Sequence, residues 1–453
     1  MPVAIVNPWT GQTDYQYDYQ SPAQVEQLLA RAALAFPTWA AAALGERAQL
    51  LHRVAALLRA EATEIAAIMS AEMGKLKREA LAEIEKSAST CDYYAEHAAA
   101  YLADRRIATE ASQSYVRYEP LGCVLAVMPW NFPIWQVFRF LAPALMAGNV
   151  ALLKHATTVP RSADRIGELL ARAGAAAGVF GVLHIDNAAA ARVIADPRVH
   201  AVSLTGSERA GRSVAATAGE HLKKCVLELG GSDPFVVLDD ADLDAAVPVA
   251  VASRFGNAGQ TCIAAKRFIV TAGIADAFVA RLLAAAAELK VGDPNEPATT
   301  LAPMARADLA ASLHLQVQAS IAAGAQGLIG GDYRAGSTVY PATVLDRVGP
   351  GMPAYAEELF GPVAAVIRVA DEREALRVAN DTRFGLGASV WTRDRERGNA
   401  FARGLDAGAC FVNALVRSDP RLPFGGSKAS GYGRELAEHG IHEFTNIKSI
   451  YVA

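Results

Sequence analysis

From about residue 120 onward the chain switches repeatedly between short β-prone apolar runs and helical stretches, and this alternation restricts its fold more than any other feature. The runs 123–128, 150–153, 182–185, 201–204 and 225–229 are too apolar for strands with one wet face. Such runs, each followed by a helix, predict a mostly parallel sheet with helices on both faces. A second set near 235–238, 267–270, 364–369 and 408–412 predicts another α/β body from about residue 230, with the hinge near Gly230-Gly231. The first hundred residues read as helical. Ser21-Pro22 supplies an N-cap and a first-turn proline ahead of an apolar face reaching Phe36, and further helices are expected over 46–58 and 79–101.

Composition narrows the function classes. A chain of 453 residues with 52% hydrophobic content has enough apolar material for two or three domains. Its 43 basic and 47 acidic side chains leave a net charge of −4, too balanced for bulk electrostatic binding of nucleic acid or a membrane surface. The N-terminal segment has neither a signal-peptide nor a transit-peptide pattern, and apolar runs such as 40–44 and 284–287 are far shorter than a bilayer span, so a soluble cytoplasmic protein is expected. The five cysteines include no CxxC pair, which argues against a disulfide scaffold or zinc ribbon. Cys91, Cys123, Cys225 and Cys410 lie in apolar surroundings and read as core residues; Cys262 does not.

Chemistry concentrates in loops that follow the strands, where open α/β sheets bind ligands. Gly256-Asn257-Ala258-Gly259-Gln260-Thr261-Cys262 delivers a thiol shortly before Lys266-Arg267, and nearby cations favour the nucleophilic thiolate. A cysteine at such a turn is, by itself, more often inert, so its company decides. Val226-Leu227-Glu228-Leu229-Gly230-Gly231 interrupts an apolar strand with one carboxylate; burial raises its pKa towards a range useful for activating water, the alternative being a glutamate paired with a neighbouring helix. Met128-Pro129-Trp130-Asn131-Phe132-Pro133 is either a bland turn or a stiff loop presenting the Asn131 amide to an oxyanion. Lys154 and the segment Leu204-Thr205-Gly206-Ser207 suit a ribose and a pyrophosphate at a helix N-terminus. Residues 206–213 nearly match a phosphate-binding P-loop, but Arg212 stands where the lysine belongs, which argues against nucleotide triphosphate hydrolysis, and no GxGxxG occurs. His439 and His442 lack a third ligand nearby, so no metal site is expected.

Five motifs, Trp130-Asn131-Phe132-Pro133, Thr205-Gly206-Ser207, Glu228-Leu229-Gly230-Gly231, Gly259-Gln260-Thr261-Cys262 and Glu357-Glu358-Leu359-Phe360-Gly361-Pro362, resemble in residues and order those of the NAD(P)-dependent aldehyde dehydrogenase superfamily. The resemblance covers nearly the whole chain. It implies an α/β fold with a Rossmann-type parallel-sheet cofactor domain over 1–110 and 121–229, a second α/β catalytic domain over 230–430, and a small β oligomerisation element from 111–120 and 431–453. It implies that Cys262 attacks the aldehyde carbon, Asn131 and the Cys262 backbone N–H hold the oxyanion, and Glu228 activates the water that hydrolyses the thioester. Trp130, Asn131, Lys154, Thr157, Gly206, Ser207, Leu229, Glu358 and Phe360 are the implied cofactor contacts.

Thr157 stands where members that prefer NAD commonly carry a glutamate. A neutral hydroxyl beside Lys154 accommodates a 2′-phosphate, so NADP is expected to be preferred and NAD tolerated. Arg139, two helical turns after Asn131, matches an arginine that grips the distal carboxylate in succinate semialdehyde dehydrogenases, and the segment 416–426 resembles their compact bacterial branch; Trp135 and Ser418 are the accompanying substrate candidates. An arginine there is equally a surface or interface residue on sequence alone. Two positions depart from other such enzymes: Gly256 replaces a second arginine, and Ala264 replaces a second cysteine, which excludes a vicinal disulfide. The expected reaction is oxidation of succinate semialdehyde to succinate. Alternatives are another aliphatic or ω-carboxy aldehyde such as glutarate semialdehyde, or acyl transfer to coenzyme A, against which Glu228 argues. The resemblance implies a homodimer or dimer of dimers, and the β-prone run 448–452, as a free edge, would need covering or pairing.

Overall fold

The predicted alternation forms two open sheets in the computed structural model, which describes residues 2–453. The first has six strands in the order Gly431–Tyr432, Lys224–Glu228, Val199–Thr205, Cys123–Met128, Val150–His155 and Phe180–Val182, all parallel except Gly431–Tyr432. The second has seven, in the order Gln326–Ile329, Thr343–Asp346, Val363–Val369, Ala265–Thr271, Asp233–Val237, Gly387–Trp391 and Ala409–Val412, with only Gln326–Ile329 antiparallel. The chain crosses between sheets at Leu229-Gly230-Gly231-Ser232, where the hinge was expected.

Register places the motif loops together. Val127 lies beside both Lys154 and Leu204, and Thr205 lies beside Glu228, so the loops after these four strands leave the same edge of the first sheet. Beneath that edge runs the helix Trp135–Met146, buried at every position. Phe138, Leu141 and Leu145 are each 0% exposed, and burying side chains of this size contributes roughly 1.5–3 kcal/mol apiece. The long helix Lys77–Tyr101 packs against it, burying Ala80, Ile84, Ala88 and Cys91 in the same core.

Some expectations need correction. The N-terminal hundred residues are not wholly helical: Val3–Val6 and Thr13–Tyr17 form an antiparallel hairpin. The first strand, Val-Ala-Ile-Val, is a very short apolar run and the second, Thr-Asp-Tyr-Gln-Tyr, is mostly exposed, so neither showed a clear apolar alternation. Gly387–Trp391 is an entirely buried strand built from Gly-Ala-Ser-Val-Trp, a run with little β-branched content; only its central place between two neighbours makes it a strand. Residues 111–120 and 431–453, expected together as an oligomerisation element, divide between two sheets. Gly431–Tyr432 extends the first sheet, and Leu436, Ile441 and Phe444 belong to that body's core. The separate three-stranded sheet consists of Arg105–Arg106, Gln113–Pro120 and Thr445–Val452. No single helix among the described residues is long and apolar enough to cross a membrane.

Candidate active site

The nucleophile loop begins where the helix Leu243–Phe255 ends. Asn257, Ala258 and Gly259 adopt φ values of 52°, 52° and 69° in succession, a left-handed stretch that costs about 1–3 kcal/mol for each residue bearing a Cβ. The surroundings impose it. Glu79 Oε1 accepts the Asn257 N–H at 3.0 Å, Arg254 Nη2 donates to the Gly259 carbonyl at 2.6 Å, and Gln260 Oε1 accepts the Ala305 N–H at 2.9 Å. A Cβ at Gly259 would lie 2.3 Å from the Gly361 carbonyl oxygen, so this position has no room for a side chain. Cys262 follows, half-buried, with its carbonyl held by Lys266 Nζ at 2.6 Å. Burial pushes its thiol up to about 11, while the charges of Arg139 and Lys266 act in the opposite direction.

Asn131 meets this loop directly. Its Nδ2 donates to the Gln260 carbonyl at 2.9 Å, and its own carbonyl accepts from Asn257 Nδ2 at 3.0 Å and Lys75 Nζ at 2.7 Å. The Gln260 bond uses one amide hydrogen, and an amide has two, so a donor remains for an oxyanion beside Cys262. Lys75 is ion-paired with Glu83, both completely buried, and Glu83 Oε1 accepts the Ile134 and Trp135 N–H groups at 2.9 and 3.0 Å. This one carboxylate caps the start of the Trp135–Met146 helix and, through Lys75, ties down the Asn131 backbone. His155 braces the other side. Its Nδ1 accepts the Ala156 N–H at 2.9 Å and its Nε2 donates to the Pro133 carbonyl at 2.8 Å, a neutral tautomer that agrees with burial lowering its pKa to about 4.

Glu228 ends its strand buried, with neither carboxylate oxygen hydrogen-bonded. Burial holds its pKa well above the usual carboxylate range; Arg139 opposes this, and nearby Glu435 adds to it. Burial therefore favours the protonated form, and the acid activates water only in its deprotonated form. Arg139, expected as the carboxylate clamp, is held by a carboxylate of this chain. It is 2% exposed, ion-paired with Glu435, donates from Nη2 to Thr205 Oγ1 at 3.0 Å and stacks under Phe424. Glu435 arrives from the far end of the chain and draws the guanidinium into the core.

Of the expected cofactor contacts, Ser207 and Glu358 line one groove. The groove, of about 530 Å³, is also lined by Gly230, Arg212, Gln316 and Arg383. Ser207 Oγ caps its own helix by accepting the Ala210 N–H at 3.3 Å, leaving the earlier N–H groups of that terminus for an anion. Glu358 Oε1 accepts the Gly231 N–H at 3.0 Å and lies 3.4 Å from Lys266 Nζ, so one lysine steadies both the nucleophile loop and the acidic side chain. A Cβ at Gly230 would fall 2.2 Å from Glu358 Oε2, which explains the glycine. Trp130 stands edge-on to Phe360, with ring centroids 5.9 Å apart. Lys154 is buried without an ion-pair partner among the described residues, and Thr157, whose carbonyl accepts from Tyr17 Oη at 3.0 Å, presents no charge beside it. The buried, unpaired Lys154, the open helix terminus and the tight Gly230 cradle fit a phosphorylated dinucleotide. Leu229 packs against Gly211 of the same helix, where a Cβ would come within 2.6 Å of it.

On the opposite side a cavity of about 300 Å³ is lined by Phe132, Trp135, Ile263, Leu415 and Val416, with Thr261 and Ala264 from the nucleophile loop. Trp135, the expected substrate contact, is one of its lining residues. Ser418 is buried nearby and accepts from Lys86 Nζ at 2.6 Å, while Lys86 also lies 4.1 Å above the Trp135 ring. Sequence reading missed Lys75, Glu83, Lys86, His155 and Glu435 as site residues, and named Lys266 only as a cation near the thiol. Only His155 and Lys266, beside recognised motifs, carried a local signal. Of the four remaining cysteines, Cys91 and Cys123 are buried and Cys225 and Cys410 half-buried. His442 stacks on Tyr118 and bonds the Tyr101 carbonyl at 2.6 Å, an ordinary packing role.

Comparison with known proteins agrees with this geometry. The model of the aldehyde dehydrogenase family matches residues 1–450. The chain is 49% identical over 454 residues to a probable succinate-semialdehyde dehydrogenase [NADP(+)] of Synechocystis sp., covering 100% of each chain. It is 47% identical over 447 residues to the succinate semialdehyde dehydrogenase [NAD(P)+] of Escherichia coli, covering 98% of this chain and 97% of that one. Among solved structures, the succinic semialdehyde dehydrogenase of Streptococcus pyogenes in complex with NADP+ is similar at a TM-score of 0.97 and 40% identity, covering 99% of both chains. With the thiol loop of the second sheet bonded to the amide-donor loop of the first, and the family model matched almost end to end, the chain belongs to the aldehyde dehydrogenase family.

Proposed function

We propose that this protein oxidises succinate semialdehyde to succinate with NADP+ as the preferred hydride acceptor. The observation that carries the chemistry is the union of the Cys262 loop and the Asn131 loop through the Asn131 Nδ2 to Gln260 carbonyl bond. A thiolate from Cys262 adds to the aldehyde carbon, and the negative charge that develops on oxygen meets the Asn131 amide and the Cys262 N–H. Loss of hydride from this thiohemiacetal, for which bound NADP+ would supply the acceptor, leaves a thioester on Cys262. Glu228, once deprotonated, takes a proton from water that attacks the thioester, releasing the carboxylic acid and the free thiol.

Lys154 and Thr157 support the cofactor preference, since a cation and a hydroxyl favour a 2′-phosphate that a carboxylate would repel. The relatives named for succinate semialdehyde support the substrate. A panel of kcat/KM values over succinate semialdehyde, glutarate semialdehyde and butanal, each with both cofactors, tests the reading. Succinate semialdehyde with NADP should be the best combination; a higher value for butanal, or for NAD over NADP, overturns the corresponding half.

We place the enzyme in the cytoplasm, in keeping with five free cysteines. We also propose that it is a homo-oligomer joined through the three-stranded sheet, whose last strand exposes Ile447, Tyr451 and Val452.

A further inference from the structure

Arg139 is drawn into the core, and Gly256 lines the substrate cavity where an arginine would have supplied a second cation. The charge that receives an anionic substrate must come from elsewhere on the wall. Two cations line the cavity, Lys75 and Lys86. Lys75 is committed to Glu83, the Asn131 carbonyl and the Phe132 ring. Lys86, half-buried on the helix Lys77–Tyr101, has no ion-pair partner among the described residues; it touches only the Ser418 hydroxyl and the Trp135 face.

Resting on the proposed function above, we propose that Lys86, oriented by Ser418 and Trp135, is the residue that binds the distal carboxylate of the substrate. An ammonium laid on an indole and held by one hydroxyl keeps a donor for a ligand, because it carries three N–H groups. The carboxyl groups that share this wall do not compete for it. Glu83 is neutralised by Lys75, and burial favours the uncharged form of Glu79. Further out, exposed Arg417 and Arg421 bracket Asp419 and leave the neighbourhood net positive. Burial lowers Lys86 itself to about 8, so it remains mostly charged at neutral pH, and a carboxylate docked on it would raise it again. Ser418 thereby acquires a role through Lys86 as well as any contact of its own.

The test compares Lys86→Met, Lys86→Arg and wild type on succinate semialdehyde, glutarate semialdehyde and butanal with saturating cofactor. Removing a charge-assisted hydrogen bond should reduce kcat/KM for the two carboxylate-bearing aldehydes roughly 10- to 100-fold relative to butanal, chiefly through KM, with partial recovery in Lys86→Arg. If Lys86→Met lowers all three equally, or leaves their ratios as in wild type, the assignment is wrong although the proposed function stands. A wild type that favours glutarate over succinate semialdehyde, with that preference lost in Lys86→Met, overturns the proposed substrate and upholds Lys86. A wild type indifferent to the carboxylate overturns both.

Discussion

Lys75→Met removes a charge from the interior while nearly preserving side-chain volume. Lys75 is 0% exposed and its partner Glu83 4%, so the variant strands a carboxylate that accepts only from the Ile134 and Trp135 N–H groups. Breaking one side of a buried pair costs about 3–5 kcal/mol, or roughly two to three and a half decades in an equilibrium constant. Adding Glu83→Gln removes the stranded charge but keeps an amide oxygen for the same two N–H groups, and the total cost should shrink to about 1–2 kcal/mol. The double variant should therefore be more stable than Lys75→Met alone. Because a chain of this size often unfolds irreversibly, the rate of loss of native fluorescence in urea is the suitable measure, alongside melting temperature at fixed scan rate. Activity should not follow stability. Lys75 also donates to the Asn131 carbonyl at 2.7 Å, so both variants lose a tether on the oxyanion donor and should show kcat reduced at least about tenfold. Costs of the two single substitutions that simply add in the double variant would refute the charge-pair reasoning, and full kcat in Lys75→Met would refute the tether.

Three further outcomes follow from the site. With no cofactor bound, alkylation of Cys262 by iodoacetamide should accelerate about tenfold per pH unit from pH 7 to near 10, because its thiol stays protonated until about 11; a plateau by pH 8 would contradict that environment. Glu228→Gln should release one equivalent of reduced cofactor and stall as the thioester, and in wild type hydrolysis of that thioester should speed up with rising pH as the buried acid ionises; sustained turnover in the variant removes Glu228 from its role. Thr157→Glu should depress kcat/KM with NADP roughly 10- to 100-fold more than with NAD, and an equal loss on both would show that this position does not face the 2′-phosphate.

Local sequence determined the α/β class and the strands carrying the motif loops, because each depends on short-range information, an apolar run and the loop after it; it singled out Cys262, Glu228 and Asn131 as candidates, and the ordered set of motifs gave them their expected roles. The same local rules found the cap at Ser21, whose hydroxyl and Gln24 form the reciprocal box at the start of the helix Pro22–Ala41. They failed where a strand's neighbours supply its stability, as at Gly387–Trp391, and where two very short strands pair only with each other, as in the N-terminal hairpin. They also failed for Arg139. Its spacing from Asn131 suggested a substrate clamp, but a guanidinium goes to the carboxylate that solvates it best, and only the folded chain brings Glu435 within reach. Lys75, Glu83 and Lys86 lie on and just before a helix with no motif of its own. Their roles arise because that helix packs beside Asn131 and Trp135, and burial turns ordinary surface-type residues into the charges that hold the catalytic loop and face the substrate. Reactive residues are legible from their types and immediate company, whereas the electrostatic partners that orient them are decided by tertiary packing, since desolvated charge pairs with whatever the fold brings near it.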